Sequence, residues 1–400
     1  GWFTSEIWDR LTDRSLWLNQ QAIKHVRDIS NVILYLVNAS ESPEAVPYVK
    51  SEMEILSWIN KPVIVLLNQM GEVRPPEQEK AEVQVWKDFL SSYPFVKEVM
   101  PLDAFARCWV QEYELWKQIE NCLPDNEKAA FASLHTAWVR QKTAVYSSSI
   151  DAMAAYLVKV TNDKELLQSQ SLIDRLRAIG RTFGFIKKDI NGAMKDAQVS
   201  LSTRAADGLC SLTQKLIEIN GLEGKGTKNE ILKRVREGWE TQESVDPKAS
   251  ALIGAVAGGA MTGLAADIAT GGLSLGLGAL GGAIVGAVGG AGVAAAYNIK
   301  KGSKENIITW SPEATKGFVI ETVLLYLAVA HFGRGRGEWE SSECPAFWKD
   351  LTQKVLDEQK VDFKEIKEKA QNADQLRGEY SRILNAVLKE IFKDLYNVSI

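Results

Sequence analysis

The sequence has few of the residues that build metal sites, disulfide frameworks and hydrolytic centres. It contains 4 cysteines and 3 histidines in 400 residues, and no two cysteines form a CxxC pair. Neither a zinc site nor a disulfide framework is therefore indicated, and the cysteine usage is typical of a reducing cytoplasm. No GxSxG, HExxH or paired-carboxylate motif accompanies the histidines, so no catalytic constellation is predicted.

An excess of basic residues is missing too. Lys and Arg number 47 against 51 Asp and Glu, which gives a formal net charge of −4. Hydrophobic residues make up 46% of the chain and charged residues 24%. These values are typical of a folded chain and argue against nucleic acid as a partner. Because 400 residues exceed one ordinary hydrophobic core, we expect two or three units.

A phosphate-binding loop is also missing. The nearest match to GxxxxGK[ST] is the segment 221–227, GLEGKGT. With Gly224 and Lys225 aligned to the motif, Ile219 stands in place of the first glycine and Gly226 in place of the Ser or Thr. The segment also follows a predicted helix instead of a buried strand. We interpret it as an inter-helix loop.

Buried strands that alternate with helices are present in the first part of the chain. Residues 31–38, NVILYLVN, and 62–68, PVIVLLN, are apolar runs of strand length. The helix between them is predicted to begin at Ser42 and Pro43, with Ser42 as N-cap. The same alternation continues, with a helix near 77–91, a strand near 96–102 and a helix near 105–123. The order predicts half of a doubly wound parallel sheet.

The remainder is predicted to be mostly helical. Residues 126–244 are rich in Ala, Leu, Lys, Glu and Gln, with breaks near Thr161, Gly192 and 221–226, which predicts a bundle or an extended arm. The apolar run 318–332 contains Glu321 and is short for a bilayer span, so we expect a core helix there. Beyond Lys300 we expect amphipathic helices. The predicted domains are 1–124, 125–247, 248–302 and 303–400.

A glycine-rich segment is the most distinctive feature of the sequence. Between residues 249 and 299 the only charged residue is Asp267, and the segment is predicted to form a helical hairpin with arms at 251–266 and 275–297. The arms approach the roughly 20 residues that cross a bilayer. Two alternatives stay open, a hairpin at a membrane and a hairpin buried in protein. The glycines that recur every fourth residue, and so form a zipper on one helix face, are Gly278, Gly282, Gly286 and Gly290.

The loops after the predicted strands carry the candidate site, because ligands bind beyond the carboxyl ends of such strands. The segment from Asn68 to Gly71, NQMG, follows the second strand, and Leu102 to Ala104 follow the third. Plain turn residues are an equally open interpretation of these loops.

Several segments resemble one family of bacterial proteins. They are VILYLVNASESP, KPVIVLLNQMG, LDAFARCWVQE and GLAADIATGGLSLGLGALGGAIVGA. They are similar to proteins that join an Era/TrmE-like GTPase domain to a C-terminal domain called DUF3482. The resemblance implies the α/β half of a P-loop GTPase-like doubly wound parallel sheet, followed by a mostly α-helical domain with the glycine-zipper hairpin.

The resemblance also implies roles for individual residues. Asn68 and Gln69 would form the guanine loop, in which Gly71 stands where the family has a base-binding Asp. Asp103 and Ala104 would lie in the loop that closes over the base. Gly1 would be the last residue of a DxxG motif, whose amide meets the γ-phosphate, with the P-loop upstream of this sequence. GTP and Mg²⁺ are then expected only for the full-length protein, and this chain alone is not expected to hydrolyse GTP.

The function implied is that of a GTP-binding switch protein. Nucleotide state would be coupled to the helical part and, through residues 249–299, to a membrane surface or bilayer at the inner membrane, or to a protein partner. Two alternatives remain, a non-enzymatic membrane or scaffold protein with a degenerate nucleotide fold, and a membrane-active effector.

Overall fold

The computed structural model describes residues 14–71, 73–103, 108–167, 183–222, 297–301, 306–332 and 345–398. The chain divides into two compact units, Gly1–Lys142 and Thr143–Ile400. The first unit is built on a parallel sheet and the second is mostly helical, so the coarse prediction of an α/β region followed by a helical region is confirmed.

The first unit contains a three-stranded parallel sheet. The strands follow the order β1-β2-β3, with Ile33 opposite Val63 and Val63 opposite Val96. This order confirms the predicted βαβ units. The elements are α1 (Arg14–Asp28), β1 (Ile33–Asn38), α2 (Pro47–Ile59), β2 (Val63–Asn68), α3 (Pro76–Leu90), β3 (Val96–Pro101), α4 (Trp109–Cys122) and α5 (Asp125–Thr161), and the boundary between the units falls within α5.

Helices cover both faces of the central strand β2. On one face Val63, Val65 and Leu67 pack with residues of α2 and α3, among them Met53 and Trp86. On the other face Ile64 and Leu66 pack with residues of α4. A strand that is buried on both faces reads as a continuous apolar run, which is why its position could be predicted.

One strand at the edge of the sheet is only partly covered. Leu34 and Leu36 of β1 are 42% and 58% exposed, although their register partners Ile64 and Leu66 are buried. Within the described residues β1 pairs with β2 alone, so its other edge has no strand partner there. An apolar face therefore continues from the buried centre of the sheet to an open edge.

The start of α2 differs from the prediction. Ser42 makes no side-chain cap hydrogen bond, and only a short 3-10 turn, Pro43–Ala45, follows it. The α-helix begins at Pro47. A residue that precedes proline is disfavoured in the helical region, and Val46 adopts φ −114° and ψ 75°. Pro47 therefore separates the 3-10 turn from the helix and starts the helix itself.

The second unit adds a small antiparallel sheet that was not predicted. Its strands follow the order β4-β6-β5, and Leu166 lies opposite Ile307. Tyr297, predicted to end a hairpin arm, lies in β5, and β6 occupies a region expected to be helical. Besides the remainder of α5, the elements are β4 (Lys164–Leu167), α6 (Phe183–Ile219), β5 (Tyr297–Lys301), β6 (Asn306–Trp310), α7 (Pro312–Ala330), α8 (Ala346–Glu358), α9 (Phe363–Lys369) and α10 (Ala373–Tyr396).

The breaks predicted in the helical region have mixed outcomes. The break near Thr161 is confirmed, because α5 ends there, and Gly221 follows the end of α6 with φ +64°. The break near Gly192 is wrong, because α6 runs through it. One glycine inside a helix costs only about 1 kcal/mol relative to alanine, which a 37-residue helix tolerates.

Helix α7 lies at the centre of the second unit, as predicted for this core helix. The Ser311 hydroxyl accepts a hydrogen bond from the Ala314 amide at 3.1 Å, and Pro312 occupies the first turn. Every residue from Phe318 to Val329 is buried. No helix in the described part of the chain combines the length and apolar character needed to cross a bilayer.

Candidate functional site

Three loops leave the carboxyl edge of the parallel sheet next to each other. Asn38 and Asn68, the last residues of β1 and β2, are register partners. Beyond the strands, the Ala39 amide donates to the Asn68 carbonyl at 2.7 Å, and the Leu102 amide donates to the Leu67 carbonyl at 3.0 Å. Pairing thus continues past the strand ends and fixes where each loop begins.

Two charged side chains hold the backbone of Met70. Its amide donates to Oδ2 of Asp103 at 2.9 Å, and its carbonyl accepts from Nη2 of Arg74 at 2.5 Å. Arg74 is held in turn by Oε2 of Glu82 at 2.6 Å. The loop after β2 is therefore fixed both by the loop after β3 and by the chain that leads into α3.

The residues on either side of Met70 have left-handed backbone conformations. Gln69 has φ +59° and Gly71 has φ +87°. This region costs a non-glycine residue on the order of 1 kcal/mol, and the hydrogen bonds to Met70 offset that cost at Gln69. A Cβ built on Gly71 would meet no atom within 4 Å. Backbone angle, and not lack of space, is therefore what favours glycine at this position.

Carboxylates dominate the side chains that fix this loop. Asp103 and Glu82 hold it directly or through Arg74. Burial raises the pKa of nearby Glu79, Arg74 lowers it, and Glu82 raises it further. Such a surrounding favours ligand groups that donate hydrogen bonds and disfavours anionic groups such as phosphates.

The loop after β1 is explained by local turn chemistry. The Ser40 amide donates to Oδ1 of Asn38 at 3.0 Å, so this asparagine closes its own turn. Asparagine commonly plays this role at turns, and no ligand is needed to account for it.

The structure brings together four of the predicted site residues, Asn68, Gln69, Gly71 and Asp103, in two adjacent loops. The other predicted site residues lie outside the described residues. They are Ala104, Gly1, Gly278, Gly282, Gly286 and Gly290. Within the described ranges, no group of three or more His, Cys, Asp or Glu side chains could hold a metal ion.

Sequence reasoning missed Arg74. It lies in a proline-containing connection, and nothing in the local pattern shows that its side chain turns back to Met70. The contact depends on the left-handed backbone on both sides of Met70, which directs the Met70 carbonyl. An arginine four residues from that position was the only available signal.

A cysteine marks the point where the chain after Asp103 enters α4. The helix begins at Trp109, four residues later than predicted, with Cys108 as N-cap. The Cys108 amide donates to Oε1 of Gln111 at 2.9 Å. The Cys108 thiol is buried, which raises its pKa to about 12.

In the second unit, a carboxyl group lies inside the helical core. Glu321 of α7 is 5% exposed, and its Oε2 has no hydrogen-bond partner in the described part of the chain. Burial raises its pKa to about 7, against a lowering effect of Lys349 on α8. Burial, and then the charge of Glu321, also raises the pKa of Tyr156 on α5. Glu321 is thus a buried acid that ionises near neutral pH.

A histidine ends the same helix. Nδ1 of His331 lies 2.7 Å from the Leu327 carbonyl, and Nε2 contacts the hydroxyl of Tyr396. The centroid of the imidazole lies 4.7 Å from that of the Trp348 ring. Burial lowers the pKa of His331 to about 4. Ten residues of helix separate it from Glu321 by roughly 15 Å, so the two groups do not share a site.

One comparison with known proteins gives a match, and it falls in the second unit. Residues 245–389 match the model of a protein family described as "Domain of unknown function (DUF3482)". The match covers less than half of the chain and includes β5, β6, α7, α8, α9 and most of α10. It supports the DUF3482 part of the resemblance. Neither the curated proteins nor the solved structures contain a match to the chain.

Proposed function

We propose that the first unit is the base-binding part of a GTP-binding switch protein and that nucleotide state is transmitted to the helical second part. One observation carries this proposal. The hydrogen bond from Met70 to Asp103 joins the loop that bears Asn68 and Gln69 to the loop after β3. Both loops lie at the carboxyl edge of a parallel sheet, where folds of this class bind ligands.

In this proposal the phosphates and Mg²⁺ are held by parts of the protein other than the described residues. The carboxylates around Met70 support this arrangement, because they suit a nucleobase and not a phosphate chain. The edge of β1 away from β2, which has no strand partner among the described residues, supports it too. A further strand and helix against β1 would bury Leu34 and Leu36, and complete burial of a leucine side chain stabilises by about 1.5–3 kcal/mol.

The switch itself would work by a shift in populations. Contacts of the γ-phosphate order mobile segments in proteins of this kind, and hydrolysis or release returns them to the other state. The helical part would respond, and the glycine-rich residues 249–299 would contact a membrane surface or a protein partner. The described residues supply base binding in this scheme, and no hydrolytic step is assigned to them.

A second candidate function has one observation in its favour. Gly71 stands where the resembled GTPases have the acid that binds the base, and its φ of +87° is unfavourable for any side chain. A nucleotide fold that lost its ligand could serve as a docking platform in a non-enzymatic scaffold. Guanine-nucleotide binding by the intact protein separates the two functions.

The nucleotide experiment compares two asparagines at matching strand ends. Intact protein is titrated with fluorescent analogues of GTP and ATP, as wild type, Asn68→Ala and Asn38→Ala. We expect binding of the GTP analogue, at least a tenfold weaker Kd for Asn68→Ala, and an unchanged Kd for Asn38→Ala, whose side chain only closes a turn. Absence of guanine-nucleotide binding by the wild type would leave the scaffold as the better function.

The membrane part of the proposal has its own experiment. Wild-type protein, Gly282→Leu and Gly286→Leu are floated with anionic phospholipid vesicles, with Gly378→Leu as the control. Gly378 lies on α10, where an added Cβ meets no atom within 4 Å. We expect the wild type and the control to float and the zipper variants to float less. Recovery of the wild type only in the soluble fraction would remove the membrane from the proposal.

A further inference from the structure

A shallow groove lies on the surface of the first unit, between helices α1 and α2. It has a volume of about 370 Å³ and is lined by Ile23 of α1 and by Ser51, Glu54, Ile55 and Trp58 of α2. The α2 residues follow the spacing i, i+3, i+4 and i+7, so they share one face of that helix. The α2 wall of the groove therefore carries a hydroxyl, a carboxylate, an aliphatic side chain and an indole.

The apolar part of this wall is exposed. Trp58 is 63% exposed, and Ile55, one turn earlier, is exposed as well. Tryptophan is highly buried on average, so an indole at the surface beside an aliphatic residue needs an explanation. Exposed apolar groups that lie together in a concavity are typical of an interaction site.

An arginine of this chain already contacts the exposed indole. The guanidinium carbon Cζ of Arg27 lies 5.3 Å from the centre of the Trp58 ring, which is within the range of a cation–π contact. Arg27 also forms an ion pair with Asp28, with Nε 2.6 Å from Oδ1, so its charge is compensated locally. Because Trp58 remains mostly exposed with Arg27 in place, the indole has surface left for a second group.

Glu54 adds a negative charge to the same wall. Among the described residues, no hydrogen bond or ion pair engages its carboxylate. The neighbouring acids are engaged, Asp28 by Arg27 and Glu52 by the hydroxyl of Tyr35. The groove thus combines an unpaired carboxylate, apolar walls and an aromatic surface. Together they complement a side chain with an apolar stem and a planar cationic end.

From these observations we propose that the groove binds an arginine side chain of a partner protein. The guanidinium stacks on Trp58 and donates a pair of hydrogen bonds to the carboxylate of Glu54, and the methylene groups lie along Ile23 and Ile55. Lysine fits less well, because an ammonium is a compact charge that neither stacks nor forms two parallel hydrogen bonds. The proposal is independent of nucleotide binding.

The shape of the groove favours an arginine that is carried by a protein. Sites for free small molecules enclose most of the surface of the ligand. This groove is shallow and has room for one side chain, so the backbone of the bound residue stays outside. Flanking apolar residues of the partner can then cover the exposed surface of Ile55 and Trp58.

The test follows the methyl resonances of Ile23 and Ile55 in the intact protein by NMR. The protein is titrated with three peptides, acetyl-Leu-X-Leu-amide, in which X is arginine, lysine or citrulline. Citrulline keeps the shape of arginine without its charge. We expect saturable shifts of both methyl groups with a Kd on the order of 1 mM for the arginine peptide. The lysine peptide should bind roughly threefold more weakly and the citrulline peptide roughly tenfold more weakly.

Glu54→Gln and Glu52→Gln are a matched pair of variants on one helix. Glu54→Gln removes the charge from the groove and should weaken binding of the arginine peptide roughly tenfold. Glu52→Gln makes the same change at the acid that contacts Tyr35 and should leave the Kd unchanged. Trp58→Leu keeps an apolar wall without the aromatic surface, and we expect roughly threefold to tenfold weaker binding. Unchanged methyl spectra of the free variants will show that the fold is retained.

Several results would overturn the proposal. Equal affinities for the arginine and citrulline peptides would remove the charge from recognition, and an unchanged Kd in Glu54→Gln would remove the carboxylate. Equal weakening in Glu54→Gln and Glu52→Gln would reduce the binding to a general attraction between a cation and an acidic surface. A complete lack of methyl shifts with the three peptides would show that the groove binds none of them. None of these results changes the expectation for guanine-nucleotide binding.

Discussion

The central strand of the first unit and the central helix of the second are both buried, but polar residues occupy different positions in them. In β2 the residues Val63–Leu67 are all apolar and buried, and the polar Asn68 comes at the end of the strand. In α7 a carboxyl group, Glu321, lies in the middle of the buried run, and His331 closes the helix. The polar residue of the strand thus lies at the edge of the sheet, and the ionisable Glu321 of the helix lies inside the core.

This difference separates the proposed binding edge of the first unit from a core in the second unit whose stability is expected to depend on pH. Residues at the ends of parallel strands meet in adjacent loops and can act together, as Met70 and Asp103 do. Ionisable residues inside a helical core change their protonation equilibria instead, and those changes appear as pH-dependent stability. The first unit is thus the place to look for a ligand, and the second for a dependence on protons.

The largest expected effects come from removing one large core side chain in each unit. Trp86→Ala in the first unit and Phe392→Ala in the second should each lower the free energy of unfolding by about 3–5 kcal/mol. Both side chains are almost completely buried. Amide hydrogen exchange should show lost protection only in the unit that carries the substitution. Equal loss across both units would mean that they unfold as one.

The next effect is a loss of stability in the second unit as the pH rises from about 4.5 to about 7. The folded pKa of Glu321, about 7, lies above its ordinary value of 4.5, so the folded state binds the extra proton between these pH values. The stability contributed by protonated Glu321 is therefore fully present below pH 4.5 and is lost as pH rises through 7. The free energy of unfolding of Glu321→Gln minus that of the wild type should therefore increase by about 3 kcal/mol from pH 4 to pH 8.

Denaturant unfolding of the second unit across this pH range measures the change. Any effect of the buried glutamine amide that is the same at every pH cancels when the unfolding free energies at two pH values are subtracted. Glu313→Gln, in the exposed first turn of the same helix, is the control and should track the wild type. A constant stability difference between Glu321→Gln and the wild type would contradict the prediction.

His331 is expected to contribute the opposite slope over nearly the same pH range, so the two single variants separate contributions that partly cancel in the wild type. The pKa of His331 is lowered from 6.5 to about 4, so the unfolded state binds the extra proton between these values and stability falls as pH drops through them. His331→Phe should remove up to about 3 kcal/mol of this acid sensitivity. The same denaturant series measures it, with the exposed His25→Phe of the first unit as control. An acid slope that persists in His331→Phe would assign the sensitivity to other groups.

The smallest effect compares two helix starts. The carboxylate of Asp362 accepts hydrogen bonds from the amides of Lys364 and Glu365, at 2.9 and 3.0 Å, and so caps α9 in the second unit. Ser42 makes no such bond in the first unit. Asp362→Ala should cost about 1 kcal/mol and Ser42→Ala close to nothing, as measured by thermal unfolding. Equal costs would mean that the Ser42 hydroxyl caps the turn after all.

The parts of the fold that could be predicted share a local signal. The run Val63–Leu67 is apolar because both of its faces are covered, and the sequence 318–332 is apolar because α7 is central. The sheet of β4, β5 and β6 has no such signal. Leu166 pairs with Ile307 across a large sequence separation, and neither strand shows a distinctive alternation. These strands form through pairing between residues far apart in the sequence, which local patterns do not reveal. The local patterns therefore predicted a helix or a hairpin there.

The candidate site was predictable in position but not in detail. Asn68, Gln69 and Gly71 follow an obvious strand, and Asp103 follows the next one, so their proximity could be expected from parallel topology. The hydrogen bond from Met70 to Asp103 could not, because it depends on left-handed backbone angles that glutamine rarely adopts. Arg74 was missed for the same reason.

The N-cap cysteine of α4 gives this edge of the sheet a built-in chemical reporter. The Cys108 thiol is buried and its pKa is raised to about 12, so it forms little of the thiolate that alkylating reagents attack. Its reaction with iodoacetamide therefore requires local opening of the helix start that follows the Asp103 loop. The alkylation rate of Cys108, read by peptide mass, follows that opening in the native protein, and a ligand that tightens the loop will slow it.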